Sequence, residues 1–337
     1  MRRCPAKRSK NVKAKILQVL READGYVSGQ QLCEQFGVSR TAVWKAINQL
    51  REQGYEIDSV SNKGYCIRST PDLLGKNELL SLQKTAWIGH RLESFDVIGS
   101  TNTTAMQMAE EGAPHGTLVV ADRQDSGKGR RGRSWMMPAG IAIAMSIVLK
   151  PEELLPGNAP MLTLVSALAV VRAMKEQTGL DAMIKWPNDI VINGKKVCGM
   201  LTEMSTQIDY INHIVVGIGI NVHNEQFPEE LSDRATSLFL ESGKHFNRAA
   251  LVEAVCEAFE SYYEIFMRTQ DLSGLQAEYD RYMVNKDRQV RILDPLGEYE
   301  GKALGITARG ELLVETEEGI RTVDSGEVSV RGIYGYV

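Results

Sequence analysis

The sequence predicts an α+β chain in three parts: a small helical head closed by a hairpin, a larger body in which helices back a mixed sheet, and a short all-strand tail. Three observations predict it. Charge divides the chain: residues 1–70 hold 13 Lys and Arg against 6 Asp and Glu, while the whole carries −4, which leaves −11 on the remainder. The hydrophobic period divides it again, helical at the start, mixed through the middle and strand-like after residue 285. A length of 337 residues is also more than one hydrophobic core ordinarily organises.

In the head, "NVKAKILQVLREADG" sets Val12, Ile16, Val19 and Leu20 at helical spacing and runs to Gly25. "SGQQLCEQFG" opens with Ser28 and Gln31 at capping-box spacing and stops at Gly37. "SRTAVWKAINQLREQG" starts at Ser39 as N-cap, with Val43, Ile47 and Leu50 on one face. Two helices joined by "GVS" make a helix-turn-helix, and the strands "YEIDSV" and "YCIR" around "SNKG" make it the winged variant. Ser39, Arg40, Thr41 and Lys45, at the start of the second helix, and Lys63 at the wing tip are the candidate DNA contacts. The net charge of +7 favours DNA over protein docking for this domain, placed at residues 1–70 with a basic tail over 1–11. "STPDLLGKNE" has the composition of a linker.

The body alternates strands ("ESFDVIG", "TLVVADRQ", "IAIAMSIVLK", "AMIKWPNDIVI", "KVCGMLTEMS", "INHIVVGIGINV") with helices ("STNTTAMQMAEEG", "PMLTLVSALAVVRAMKEQTG", "RAALVEAVCEAFESYYEIF"). Adjacent strands joined at Asn193-Gly194 indicate a mixed sheet rather than a doubly wound parallel one. "GIGIN" lacks the third glycine and the following helix of a dinucleotide fingerprint.

Composition excludes several classes. With 43% apolar and 24% charged residues the chain is globular, neither disordered nor collagen-like. Its five cysteines form no C-x-x-C pair and its five histidines show no ligand spacing, which argues for reduced thiols in a cytoplasmic setting and against structural zinc. The apolar run "GIAIAMSIVL" has about half the length of a spanning helix, and no membrane role is expected.

The segment "GKGRRGRSW", Gly127 to Trp135, packs four cations and three glycines into nine residues. Glycine lets backbone approach a ligand closely, and arginine forks match phosphate or carboxylate. It lies in the acidic body, far along the chain from the basic head, and a glycine-rich cationic loop folding over a mononucleotide is one physically sensible reading of it. The bare alternative is a solvated surface loop.

"GSTN" (99–102), "GKGRRGRSW", "KWPNDIVINGKKVCG" (185–199) and "GIGIN" (217–221) together resemble the signature set of the biotin protein ligases. With the winged helix in front, the chain resembles the bifunctional form that is also a biotin operon repressor. The resemblance covers residues 12–335. It implies a class II synthetase-like central fold and a two-step reaction: biotin and MgATP give biotinyl-5′-AMP, and the biotinyl group then passes to a lysine of a carboxylase carrier domain. Lys196 and Arg130 are implied as the groups that offset the carboxylate and the α-phosphate charge. Ser100, Thr101, Asn102 and Gln124 are implied around the biotin head, with Gly127, Lys128, Gly129 and Arg130 closing over it, and Gly217 and Gly219 beside its tail. Lys128, Arg130, Arg133, Trp135, Asn188, Lys196 and Asn221 are implied for the adenylate, and Asp189 for Mg²⁺. Lys195, facing the other way on its strand, is read as solvated.

Two positions depart from the family pattern. Lys128 replaces an arginine and keeps only its charge. Met137 replaces a small or hydroxylic residue and removes any polar contact there. The resemblance also implies a corepressor role for biotinyl-AMP, a ligand-promoted homodimer through the central sheet, and a palindromic operator. A lipoate or octanoate ligase and a non-catalytic biotin-sensing repressor are the competing readings.

Residues 285–335 alternate at strand period with turns at "PLG", "ARG" and "EEG", which predicts an SH3-like barrel. The expected domains are therefore 1–70, 71–282 (biotin and ATP) and 283–337.

Overall fold

A computed structural model describes residues 11–294, 297–326, 328–332 and 336–337. The basic tail, apart from Asn11, lies outside the described residues. The chain divides into two compact units between Gln83 and Lys84.

The first unit contains α1 (Val12–Glu22), α2 (Gly29–Phe36), α3 (Arg40–Glu52), β1 (Glu56–Val60), β2 (Gly64–Ser69) and α4 (Lys76–Leu82). Each helix of the helix-turn-helix starts where its sequence supplies a cap: Ser28 accepts from the Gln31 N–H at 3.0 Å and Ser39 from that of Ala42 at 3.2 Å. Ile16, Leu17, Leu20, Leu32, Ile47 and Leu50 are fully buried at the centre, each contributing roughly 2 kcal/mol. The wing pairs β1 with β2, and Tyr65 exchanges two 2.8 Å backbone hydrogen bonds with Val27. Gly64 makes that approach possible, since a Cβ there would overlap the Val27 carbonyl. The segment read as a linker carries a helix, α4, packed on α1. Its Glu78 is buried, accepts from the Tyr55 hydroxyl at 2.5 Å and pairs with Arg21 at 2.5 Å, so the carboxylate is compensated.

The second unit begins with β3 (Leu92–Phe95), α5 (Thr101–Glu110), β4 (Thr117–Ala121), β5 (Gln124–Lys128), β6 (Ser134–Met137) and β7 (Ala142–Leu149). It continues with α6 (Leu162–Thr178), β8 (Met183–Lys185), β9 (Asp189–Ile192), β10 (Lys195–Thr206) and β11 (Ile211–Asn221). Helices α7 (Leu238–Ser242), α8 (Arg248–Thr269) and α9 (Gln276–Tyr282) follow. Seven strands form one sheet in the order β3-β4-β7-β11-β10-β9-β8, antiparallel except for β3 with β4. Helix α5 covers one face; α6, packed against α8, covers the other. With the turn before it, α6 is long and apolar enough by composition to cross a membrane, but most of it is buried as a core helix of this sheet.

Two expected strands are broken. "TLVVADRQ" ends at Ala121, and Gln124 starts a separate hairpin, β5–β6, that carries the glycine-arginine loop. "AMIKWPNDIVI" folds back on itself as the β8–β9 hairpin around a cis Trp186–Pro187 peptide. The Trp186 indole is buried and donates to the Gly310 carbonyl at 3.0 Å, tying this turn to the last domain.

That domain contains β12 (Gln289–Leu293), β13 (Tyr299–Ile306), β14 (Leu312–Thr316), β15 (Gly319–Val323) and β16 (Ser329–Gly332), an antiparallel sheet in the order β15-β14-β13-β12-β16. Its alternating Val290, Ile292, Ala303, Leu312, Val314 and Val330 point into the core of an SH3-like fold. Pro295 and Leu296, of the expected "PLG" turn, lie outside the described residues.

Candidate active site

On the α5 face of the sheet, the strand register aligns two rows. Leu201, Gly217, Ser146 and Val119 pair across four strands; beside them Gly199, Gly219, Ala144 and Ala121 do the same. The second row has almost no side chains, so the sheet carries a furrow. The three glycines of the two rows are each covered by a different chemistry. Asn102 Oδ1 lies over Gly217, where a Cβ would overlap it. The Trp135 ring lies over Gly219, within 2.7 Å of where a Cβ would stand. Lys196 Nζ lies over Gly199 at 2.8 Å from the same point.

The end at Gly217 is polar and buried. Ser100 caps α5 through the Thr103 N–H at 3.4 Å, which presents Thr101 and Asn102 on the first turn. Gln124 Oε1 accepts from the Thr101 N–H at 2.9 Å and from its hydroxyl at 3.3 Å. Ser146 lies 2.9 Å from the Thr101 hydroxyl and donates to Asn102 Oδ1 at 2.6 Å. The Asn102 amide nitrogen donates to Glu203 at 2.8 Å and to the Leu201 carbonyl at 3.2 Å. Gly127 admits this arrangement, because a Cβ there would overlap the Gln124 side chain and the Trp135 carbonyl.

Among the described residues, the end at Gly199 is cationic around one carboxylate. Asp189 forms an ion pair with Lys196 and accepts from the Tyr336 hydroxyl. Burial acts to raise its pKa, but the Lys196 and Lys185 ammoniums, with the hydrogen bonds from Lys196 and Tyr336, outweigh it and hold the carboxyl below its ordinary value. Lys185, 3% exposed, sits 4.2 Å from the Tyr336 ring centroid, with Arg331 on the same ring at 4.9 Å. Burial brings the Lys185 pKa down to about 7, assisted by Arg331, Lys196 and Arg133 and opposed by Asp189. Arg130 donates to Asn188 Oδ1 at 2.9 Å and to the carbonyls of Ser325 at 2.6 Å and Gly326 at 2.5 Å, bridging the loop to the C-terminal domain. Burial lowers its pKa as well. Among the described residues the cations of this cluster outnumber its carboxylate, an arrangement that favours an anionic ligand.

The remaining expected residues lie around this core. Asn188 also donates to the Met200 carbonyl at 3.1 Å, and Asn221, ending β11, to that of Thr236 at 3.0 Å. Lys128 and Arg133 are exposed on the hairpin, with Gly129 half-buried between β5 and the turn. Lys195 is turned away and donates to the Ser232 carbonyl at 3.0 Å instead of standing free in solvent. Met137 is buried in the small cluster of Ala121, Ala142 and Ala144, so an apolar contact fills the position where the family pattern has a small or hydroxylic residue. Among the described residues no group of three or more His, Cys, Asp or Glu could hold a metal, and Asp189 is engaged by Lys196 and Tyr336.

Sequence reasoning missed Lys185, Ser146, Glu203, Arg331 and Tyr336. Two carried a readable signal: Lys185 is a cation in the apolar run "AMIKW", and Ser146 the one hydroxyl in "IAIAMSIVL". The others come from sequence positions that only the tertiary fold brings together.

In the first unit, Arg40, Thr41 and Lys45 are exposed along one side of α3. Arg40 is held by Gln30 Oε1 at 2.9 and 3.3 Å, while the Ser39 hydroxyl serves as the helix cap. Lys63, exposed on the wing, lies 5.9 Å from the Tyr26 ring centroid.

Comparison with known proteins matches this architecture in order. Residues 12–66 match an HTH domain, residues 94–221 the Biotin/lipoate A/B protein ligase family, and residues 287–331 the Biotin protein ligase C terminal domain. The bifunctional ligase/repressor BirA of Bacillus spizizenii is 41% identical over 307 residues, covering 90% of this chain and 94% of that protein. BirA of Escherichia coli is 28% identical over 320 residues, 95% of this chain and 97% of that one. The biotin protein ligase of Aquifex aeolicus, solved with biotin and ATP, superposes with a TM-score of 0.64 at 33% identity, covering 72% of this chain and 99% of that one. By sequence, domain order and fold, the chain belongs to the biotin protein ligase family, in the form that carries an N-terminal helix-turn-helix domain.

Proposed function

We propose that this protein is an ATP-dependent biotin protein ligase and, through its first unit, a DNA-binding repressor. In the first step the biotin carboxylate attacks the α-phosphate of ATP, giving biotinyl-5′-AMP and pyrophosphate. In the second, the ε-amine of a carrier-domain lysine attacks the mixed anhydride and AMP leaves. The observation that carries this reading is the juxtaposition of a small-residue furrow with a cation cluster. A carboxylate and a triphosphate repel, and Lys196, Lys185, Arg130 and Arg133 gather at the end of the furrow where the two would meet. Lys196, which lies above Gly199, would be the cation that touches both. Asn188, Trp135 and Asn221 would flank the adenylate.

Biotin is favoured over lipoate or octanoate by the other end. Thr101, Asn102, Gln124 and Ser146 form a buried polar network that a urea ring can engage and an acyl chain would leave unanswered. Among the described residues one carboxylate, Asp189, faces the cations, too few ligands for a protein cage, so Mg²⁺ would be carried chiefly by the substrate phosphates. Its chemistry there would be charge neutralisation.

The described cysteines are free thiols, consistent with a reducing, cytoplasmic setting. A homodimer through the central sheet, promoted by biotinyl-AMP, would present two winged helices to a palindromic operator. Sedimentation with and without the adenylate tests that: tighter dimerisation with it supports the corepressor role, and equal dimerisation contradicts it. For the enzyme, ATP-dependent transfer of labelled biotin to a carboxylase carrier domain is the expected result. Transfer of octanoate with none of biotin would contradict the reading.

A further inference from the structure

The polar end of the furrow holds a carboxylate to which neither the sequence motifs nor the two-step reaction gives a task. Glu203 stands on β10, opposite Val215 and two residues along from the row containing Gly217. Its Oε2 accepts from Asn102 Nδ2 at 2.8 Å, and the same nitrogen donates to the Leu201 carbonyl at 3.2 Å. Both amide protons are thereby committed. The other end of the amide, Oδ1, receives the Ser146 hydroxyl at 2.6 Å and projects over Gly217 into the furrow.

The direction of this amide follows from its neighbours. A carboxylate and a backbone carbonyl are acceptors, so the nitrogen must face them, whereas a hydroxyl can donate to the oxygen. Turning the amide over would set its oxygen against two acceptors at once. An amide held by the Leu201 carbonyl alone would have one proton unpaired and a weaker preference between its two orientations.

We propose that Glu203 is a positioning residue for biotin: it locks Asn102 so that the furrow presents an acceptor oxygen to a ureido N–H. The inference rests on the biotin reading given above and adds the element that fixes polarity at the head of the pocket. A ligand bringing a second acceptor to this point would meet oxygen against oxygen; an acyl chain would leave the oxygen without a donor from the ligand. Glu203 acts only through Asn102 and touches no reacting atom.

The test is biotin affinity by calorimetry on the full chain, with ATP KM from pyrophosphate exchange as the companion readout. Glu203→Ala is expected to weaken biotin about tenfold, the effect of losing a charged hydrogen-bond partner, while Glu203→Gln, which keeps an acceptor, stays within about threefold. The ATP KM of both is expected to remain near that of the wild type. Asn102→Ala and the Asn102→Ala/Glu203→Ala double variant should bind biotin equally weakly, because the carboxylate has nothing left to orient. Wild-type affinity in Glu203→Ala, a parallel rise in ATP KM, or independent losses in the double variant would overturn the proposal. A wild-type protein that binds no biotin would instead overturn the biotin reading, and the inference with it.

Discussion

Lys196 and Asp189 form an ion pair at the β9–β10 hairpin, directly above Gly199, where a Cβ would stand 2.8 Å from the ammonium and 3.6 Å from the carboxylate. The carboxylate thus holds the lysine at the end of the furrow. Asp189→Asn should release it and reduce adenylation roughly tenfold. The stability consequence has a definite sign. The folded pKa of Asp189 is below its unfolded value, so its contribution is complete above the ordinary carboxylate range and is lost as pH falls through the folded value. The melting-temperature difference between wild type and Asp189→Asn should therefore be larger at neutral pH than in acid. A difference that grows in acid would contradict this.

Lys185 behaves oppositely. Its folded pKa, about 7, is below the unfolded 10.5, so burying the ammonium costs stability in full below neutrality and is progressively relieved as pH rises. Lys185→Met should raise the melting temperature more at about pH 6 than at about pH 9, and raise the ATP KM about tenfold. In the wild type, ATP affinity should fall as pH rises through neutrality, because the free site loses a proton that the triphosphate would have to restore. A flat ATP affinity across that range would remove Lys185 from the phosphate site.

The two glycines of β11 that line the furrow should respond differently to substitution. At Gly217 a methyl group would displace Asn102, which is fixed by three hydrogen bonds, so Gly217→Ala should weaken biotin by more than about tenfold. At Gly219 it would meet the edge of Trp135, a side chain on a hairpin, and the loss should fall on the adenylate. Calorimetry with biotin alone and then with biotinyl-AMP distinguishes these outcomes; equal effects of both substitutions on biotin alone would not fit.

On the DNA-binding side, Arg40→Ala and Lys45→Ala should each weaken operator binding, and the salt slope should drop by about one for each phosphate contact removed. The readout is operator affinity by fluorescence anisotropy over a salt series. Substitution of either residue without effect would move the DNA surface off α3.

The winged helix was legible because its signals are local: Ser28 and Ser39 cap where they stand, and Gly37 is left-handed at the end of α2. The central motifs were legible as chemistry but not as geometry. "GIGIN" and "KKVCG" gave no hint that Gly219 and Gly199 would be partners, since that depends on β10–β11 register. Tyr336, with Arg331 on the same ring, meets Lys185 across some 150 residues of chain, and no periodicity records a contact of that kind. The two strands read too long, "TLVVADRQ" and "AMIKWPNDIVI", both break where the chain turns to build the site, at Asp122 and at Trp186–Asn188. Local pattern yields to function at those points.

The central claim is that Lys196 brings carboxylate and α-phosphate together. Biotin-dependent exchange of pyrophosphate into ATP, measured on wild type and Lys196→Ala, tests it most directly. The predicted result is exchange that requires biotin and falls by about a hundredfold or more in the variant, the scale for removing one group that stabilises developing charge. Exchange without biotin, or at the wild-type rate in Lys196→Ala, would contradict it.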